Sequence, residues 1–278
     1  MHFRGQHAAT AVLEAAATNA RNVAFTICAV RDYCGNRGVP QGPQGFYGPW
    51  HVLANFNGPS RALCSTLAVH IGAGREMDVS GDPRPPFNDI IAHEFGHIRD
   101  CVSAGDRSSG NREIDEVEEA LADMFAYDYD RDDATLGEDA GPASVDWQTP
   151  ANRLYSGQPQ PDHMDDYDPT PPGPQPGDPP DEHFNSTILS HAYYLFVQDV
   201  GTDRAGHVLQ TVPSALSPKP TFKEVAQAFF NRARALYGTE ISGPGANAFG
   251  QVGLLPITDP QPDPPEPPND PDYGPETC

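Results

Sequence analysis

Two histidines four positions apart, His93 and His97, bracket a glutamate, Glu94, in the stretch IIAHEFGHIRD, residues 90–100. On an α-helix, positions i and i+4 project from one face, one above the other. Both imidazoles can therefore share one metal ion. Glu94 stands near the same face, where it can act as general base on a metal-bound water instead of ligating. A catalytic zinc takes a third protein ligand and keeps its fourth position for water. The bland alternative is a solvent-facing amphipathic helix with two ordinary histidines, and a third ligand would separate the two.

A third histidine in the pattern H-E-x-x-H-x-x-G-x-x-H would define one zinc class. Here the Gly and His positions hold Asp100 and Ser103. The other source is a glutamate on a following helix. The segment EIDEVEEALADMFAYDY, residues 113–129, offers Glu113, Glu116, Glu118 and Glu119. Asp123 follows Glu119 by four, on the same helical face, and an acid there can hold a ligand histidine through its other ring nitrogen. Such acidic runs usually mean a solvated helix face, and spacing alone leaves both readings open.

Several elements must position these residues. Apolar Val117, Leu121, Met124 and Phe125 recur at helical spacing and predict a helix over 113–129. A helix over 86–103 carries the histidines, with Asn88 as its cap. An alanine-rich helix is expected over 9–30, and strands and irregular loops over 40–82, with LAVHI (67–71) among the strands. A helical pattern covers 186–199, with Ser186 as cap. Thr221-Phe-Lys-Glu224 is a capping box that opens a helix stopping at Gly238. Residues 246–255 suggest a last short helix. Most of the 31 prolines fall in 157–182 and 256–278, which predicts a loop and an acidic disordered tail.

The chain has 278 residues and a formal net charge of −22, from 39 acidic and 17 basic residues. A surface of that sign repels nucleic-acid phosphates and anionic membranes and suits divalent cations. No apolar run is long enough to span a membrane. The N-terminus shows no apolar signal-peptide core, so the expectation is an exported protein whose leader lies outside this chain, with a cytoplasmic one as the alternative. Five cysteines form no C-x-x-C, which argues against a thiolate zinc site. Cys28, Cys34, Cys64 and Cys101 are either two disulfides or buried thiols.

The sequence resembles the thermolysin-like (gluzincin) zinc metallopeptidases. AHEFGH (92–97) is similar to that family's zinc helix, EEALADMFA (118–126) to its second motif, and HFNSTILSHAYYLF (183–196) to its third. QAFFNRARALYG and ANAFGQVGL resemble its C-terminal helices, and the order matches across roughly residues 9–256. The resemblance implies an α+β, two-lobed metallopeptidase. Residues 1–105 would form a small, irregular or β-rich N-terminal lobe ending in the H-E-x-x-H helix. Residues 106–256 would form a mainly helical C-terminal lobe with the proline-rich loop 157–182, and 257–278 the tail.

The resemblance also implies roles. His93, His97 and Glu119 would bind Zn2+, Glu94 would be the general base, and Asp123 would hold a ligand histidine. His183 would donate to the oxyanion, oriented by Asp178, and Arg153 would bind substrate. Ca2+ would sit near Asp89, Asp130, Asp133 and Glu138, since clustered carboxylates suit a hard cation. The family's substrate-binding N-A-F/Y-W is matched here by Arg61-Ala62-Leu63-Cys64, with Ala62 against the peptide. A tyrosine that follows the zinc helix in the family has no counterpart. The implied activity is zinc-dependent endopeptidase, acting as a monomer on peptide or protein, with neither nucleic acid nor membrane as partner. The competing readings are a metal-holding scaffold that cleaves nothing and a non-peptidase zinc hydrolase.

Overall fold

Strand and helix periodicities separate along the chain. The computed structural model describes residues 51–56, 61–63, 68–72, 88–104, 107, 111–131, 133–137, 144–173 and 178–254, with the backbone alone over 51–72, at 88 and over 102–104. The helix expected over 9–30 and the tail over 257–278 lie outside these. Within 40–82, three strands form one mixed sheet: β1 (His51–Phe56), β2 (Arg61–Leu63) and β3 (Ala68–Gly72), in the order β1-β3-β2. β3 pairs parallel with β1, Val52 opposite Val69, and antiparallel with β2, Ala62 also opposite Val69.

The rest is mainly helical, so the architecture is α+β as expected. Helix α1 (Asn88–Ala104) lies against β2 and β3 on one side and against α2 (Arg112–Tyr129) on the other. The two helices nearly touch at Gly96, where a Cβ would stand 2.7 Å from the Ala122 Cα. A glycine is therefore needed at that point for the backbones to approach. Short hairpins follow: β4 (Thr135–Leu136) with β5 (Val145–Asp146), and β6 (Leu154–Tyr155) with β7 (Gln158–Pro159).

Four more helices complete the lobe: α3 (His183–Val200), α4 (Thr202–Thr211), α5 (Phe222–Tyr237) and α6 (Thr239–Gln251). The capping box at Thr221 and Glu224 is present, and α5 stops at Gly238 in a left-handed conformation, φ 68°. Helix α3 starts three residues before the expected cap. Ser186 lies inside its first turn and donates back to the His183 carbonyl at 3.1 Å, the usual use of a serine within a helix. Helix α6 starts well ahead of 246 and takes Pro244 into its interior.

The core is the helical lobe. Val117, Leu121, Met124 and Phe125 are all buried, as their spacing requires, together with Tyr193, Phe196, Phe229 and Phe249. The ring of Phe229 lies 6.0 Å from that of Phe196 and 5.1 Å from that of Phe249. Truncating a buried phenylalanine in such a cluster costs about 3–5 kcal/mol.

Candidate metal centre

Crossing at Gly96, α1 and α2 bring His93, His97 and Glu119 together. His93 Nε2 lies 3.1 Å from Glu119 Oε2 and 3.1 Å from His97 Nε2, and His97 Nε2 lies 3.4 Å from Glu119 Oε2. Among the described residues this is the one cluster of metal-ligating side chains. Ligands about 2.0–2.1 Å from a tetrahedral zinc stand about 3.3 Å from one another, so the three atoms are spaced as that ion requires.

The donor chemistry fits as well. Asp123 Oδ1 lies 2.9 Å from His93 Nδ1, and its Oδ2 accepts from Ser190 Oγ at 3.2 Å. The Asp123 carboxylate accepts a hydrogen bond from Nδ1–H and leaves Nε2 with its lone pair facing Glu119 and His97. Such a cluster of acceptors attracts either protons or a metal ion. Burial opposes charge on His93, but Asp123 and Glu119 outweigh it and push its pKa up to about 10. Burial likewise works against ionised Glu119, yet the neighbouring His183, His97 and His93 hold its carboxyl well below the ordinary range.

Glu94 is buried beside the cluster. Burial raises its pKa, and His93 and His97 pull it back. His183, first residue of α3, places Nε2 3.1 Å from Glu119 Oε2. Its pKa stands well above 6.5, chiefly through Glu119.

The aspartate on the other side of His183 differs from expectation. Asp181 Oδ1 lies 2.6 Å from His183 Nδ1 and also accepts the His183 backbone N–H at 2.9 Å. Asp178 is exposed, beside Gly173. The position two residues ahead of a helix-opening residue lets one carboxylate take both donors, which five residues of proline-rich loop do not ensure. The sequence signal, an acid at D-x-H, was present. Asp181 is further held by the Tyr155 side chain from β6.

Arg153 follows a short 3-10 turn (Pro150–Asn152) at the start of β6. It is half-buried, and its Nε has no hydrogen-bond partner among the described residues. Ala62 lies in β2, which pairs with β3 alone among the described residues. The acids expected near calcium are placed as follows. Asp89 is buried and accepts the backbone N–H groups of Gly137 and, at 2.6 Å, Ile90. Asp130 follows the end of α2, and exposed Asp133 accepts from Thr135 N and Oγ1, each at 2.7 Å. Glu138 lies outside the described residues.

An H-E-x-x-H helix thus faces a glutamate of the next helix, with a histidine beside it. Residues 116–254, half of the chain, match the family model described as the thermolysin metallopeptidase alpha-helical domain, and the chain belongs to that family. It is 28% identical over 167 residues to Bacillolysin of Bacillus amyloliquefaciens, covering 60% of this chain and 31% of that protein. It is 28% identical over 170 residues to Neutral protease NprE of Bacillus pumilus, covering 60% of this chain and 54% of that one. The chain thus spans about a third to a half of the curated relatives it matches. In fold it is similar to the precursor of Protealysin, a metalloproteinase from Serratia proteamaculans, with a TM-score of 0.70 at 17% identity over 84% of this chain and 78% of that one.

Proposed function

We propose that the chain is a zinc-dependent endopeptidase that hydrolyses peptide bonds, with Glu94 as general base. The observation that carries this is the spacing of 3.1, 3.1 and 3.4 Å among His93 Nε2, His97 Nε2 and Glu119 Oε2. Zinc held there would lower the pKa of a bound water to roughly 7 and polarise a carbonyl.

The chain's own groups supply the rest. The Glu94 carboxylate takes a proton from the attacking water and passes it to the leaving amine. Burial, by raising its pKa, suits it to both transfers. His183 Nε2 donates to the oxyanion, and Asp181, not Asp178, orients the ring and supports its positive charge. Asp123 fixes the His93 tautomer. Arg153 binds the substrate backbone, and β2 at Ala62 lies against the substrate peptide. Calcium near Asp89, Asp130, Asp133 and Glu138 is the further metal, and metal analysis that finds zinc alone would remove it.

Cys101, late in α1, is disulfide-bonded. That supports an exported protein working in an oxidising compartment. No described helix is long and apolar enough to cross a membrane.

The test is Glu94→Gln in zinc-loaded protein against a broad peptide library. The expected outcome is full zinc content with kcat down at least ~100-fold. Full activity in the variant would overturn the mechanism, and a wild-type protein that holds zinc but cleaves nothing would make the chain a metal-holding scaffold.

A further inference from the structure

One face of α2 carries three carboxyl groups about a turn apart, and each meets a polar side chain of α3. Glu119 meets His183, and Asp123 meets Ser190. The third pair lies outside the metal centre: Glu116 Oε1 accepts from Asn185 Nδ2 at 2.8 Å. Glu116 is 0% exposed.

Both residues are also fastened to the loop that leads towards Asp181. Asn185 Nδ2 donates to the Asp168 carbonyl at 2.8 Å, and Asn185 Oδ1 accepts the Asp168 N–H at 3.1 Å. Tyr167 Oη donates to Glu116 Oε2 at 3.1 Å. Arg112, at the start of α2, donates to the Pro169 carbonyl. One buried carboxyl and one amide thus join α2, α3 and the segment Tyr167–Pro169.

This arrangement is costly as packing. Burial pushes the Glu116 pKa up to about 7, although Asn185, Tyr167 and Arg112 draw it down. Replacing Glu116 together with its partners by apolar side chains of the same volume would be about as stable, whereas removing Glu116 alone leaves the Asn185 and Tyr167 donors unpaired. What a fully bonded buried network adds is a single relative placement of the parts it joins. The part in need of it is the first turn of α3. That turn begins with His183, whose side chain is 47% exposed, and Glu182 ahead of it makes no side-chain cap. Asp181 holds the His183 N–H, but the other N–H groups of a first turn lack intrahelical partners, so the turn gains from a second tie against fraying.

We propose that Glu116, acting through Asn185, is a positioning residue that holds the first turn of α3, and with it His183, over Glu119. Its catalytic consequence rests on the endopeptidase reading. Its structural part does not.

The experiment compares wild type, Glu116→Leu and Glu116→Gln as zinc-loaded full chains. Glu116→Leu should lower kcat at least ~10-fold, because small misplacements of a catalytic group are expensive, with KM and zinc content held. The protein should still be folded at the assay temperature, although Tm falls through the unpaired donors. Glu116→Gln keeps an acceptor for Asn185 and should recover most of that loss. The second readout is amide hydrogen exchange, independent of turnover. In Glu116→Leu the amides of Asp168 and Thr187 should exchange at least ~10-fold faster, with that of Phe196 unchanged. Unchanged exchange at Asp168 and Thr187 would overturn the proposal even if the wild type cleaves nothing. Wild-type kcat in Glu116→Leu, or a fall matched by lost zinc or lost folded fraction, would overturn its catalytic part.

Discussion

Asp123 holds His93 from behind: its Oδ1 lies 2.9 Å from Nδ1 while His93 Nε2, on the opposite side of the ring, lies 3.1 Å from Glu119 Oε2. The carboxylate fixes which nitrogen carries the proton, and so which one is offered to a metal. α2 therefore contributes twice to one site, as Glu119 directly and as Asp123 through the ring.

Removing the rear contact should loosen the metal. Asp123→Ala is expected to weaken zinc binding about 10- to 100-fold, read by competition with a chromophoric chelator. Unchanged affinity would mean that Asp123 serves only the Ser190 contact and the packing of α2 on α3.

The two aspartates ahead of α3 should separate cleanly. Asp181→Ala removes the partner of His183 Nδ1 and should lower kcat at least ~10-fold with zinc retained, a fraction of the ~100- to 1,000-fold expected for losing an oxyanion donor in His183→Ala. Asp178→Ala should lower kcat less than Asp181→Ala, because the contact to His183 Nδ1 is made by Asp181. The reverse ranking in steady-state kinetics would return the orienting role to Asp178.

Protons and zinc should compete for the same lone pair. The pKa of His93 is raised from 6.5 to about 10. A raised pKa stabilises the metal-free fold fully below about 6.5, and that contribution is lost as pH climbs through about 10. Zinc binding must displace the proton. The Tm difference between zinc-loaded and chelator-treated protein should therefore widen from pH 6.5 to pH 10. A constant difference across that range would contradict the shared site.

The helix crossing can be tested at Gly96. A methyl group there would stand 2.7 Å from the Ala122 Cα, which is backbone and cannot turn aside. Gly96→Ala should cost about 1–3 kcal/mol by overpacking and weaken zinc binding, since Glu119 moves with α2. Denaturant unfolding and zinc titration would show both, and stability equal to wild type would mean the helices can part there without strain.

What the sequence determined by itself was local. His93 and His97 share a face because a helix repeats every 3.6 residues, and Thr221 with Glu224 opens α5 because a capping box closes within one turn. Val117, Leu121, Met124 and Phe125 announced the buried side of α2 by the same periodicity. Non-local choices needed the tertiary structure. Four glutamates in 113–119 were candidate third ligands, and the close approach at Gly96 brings Glu119 to the histidines. Asp181 and Asp178 both precede His183, and the turn into α3 gives the contact to Asp181. Ser190 and the Glu116–Asn185 pair had no signal, because two residues 67 or 69 positions apart meet only when α2 packs on α3. Periodicity says which face of a helix is special. The packing of helices decides which residue of another helix it meets.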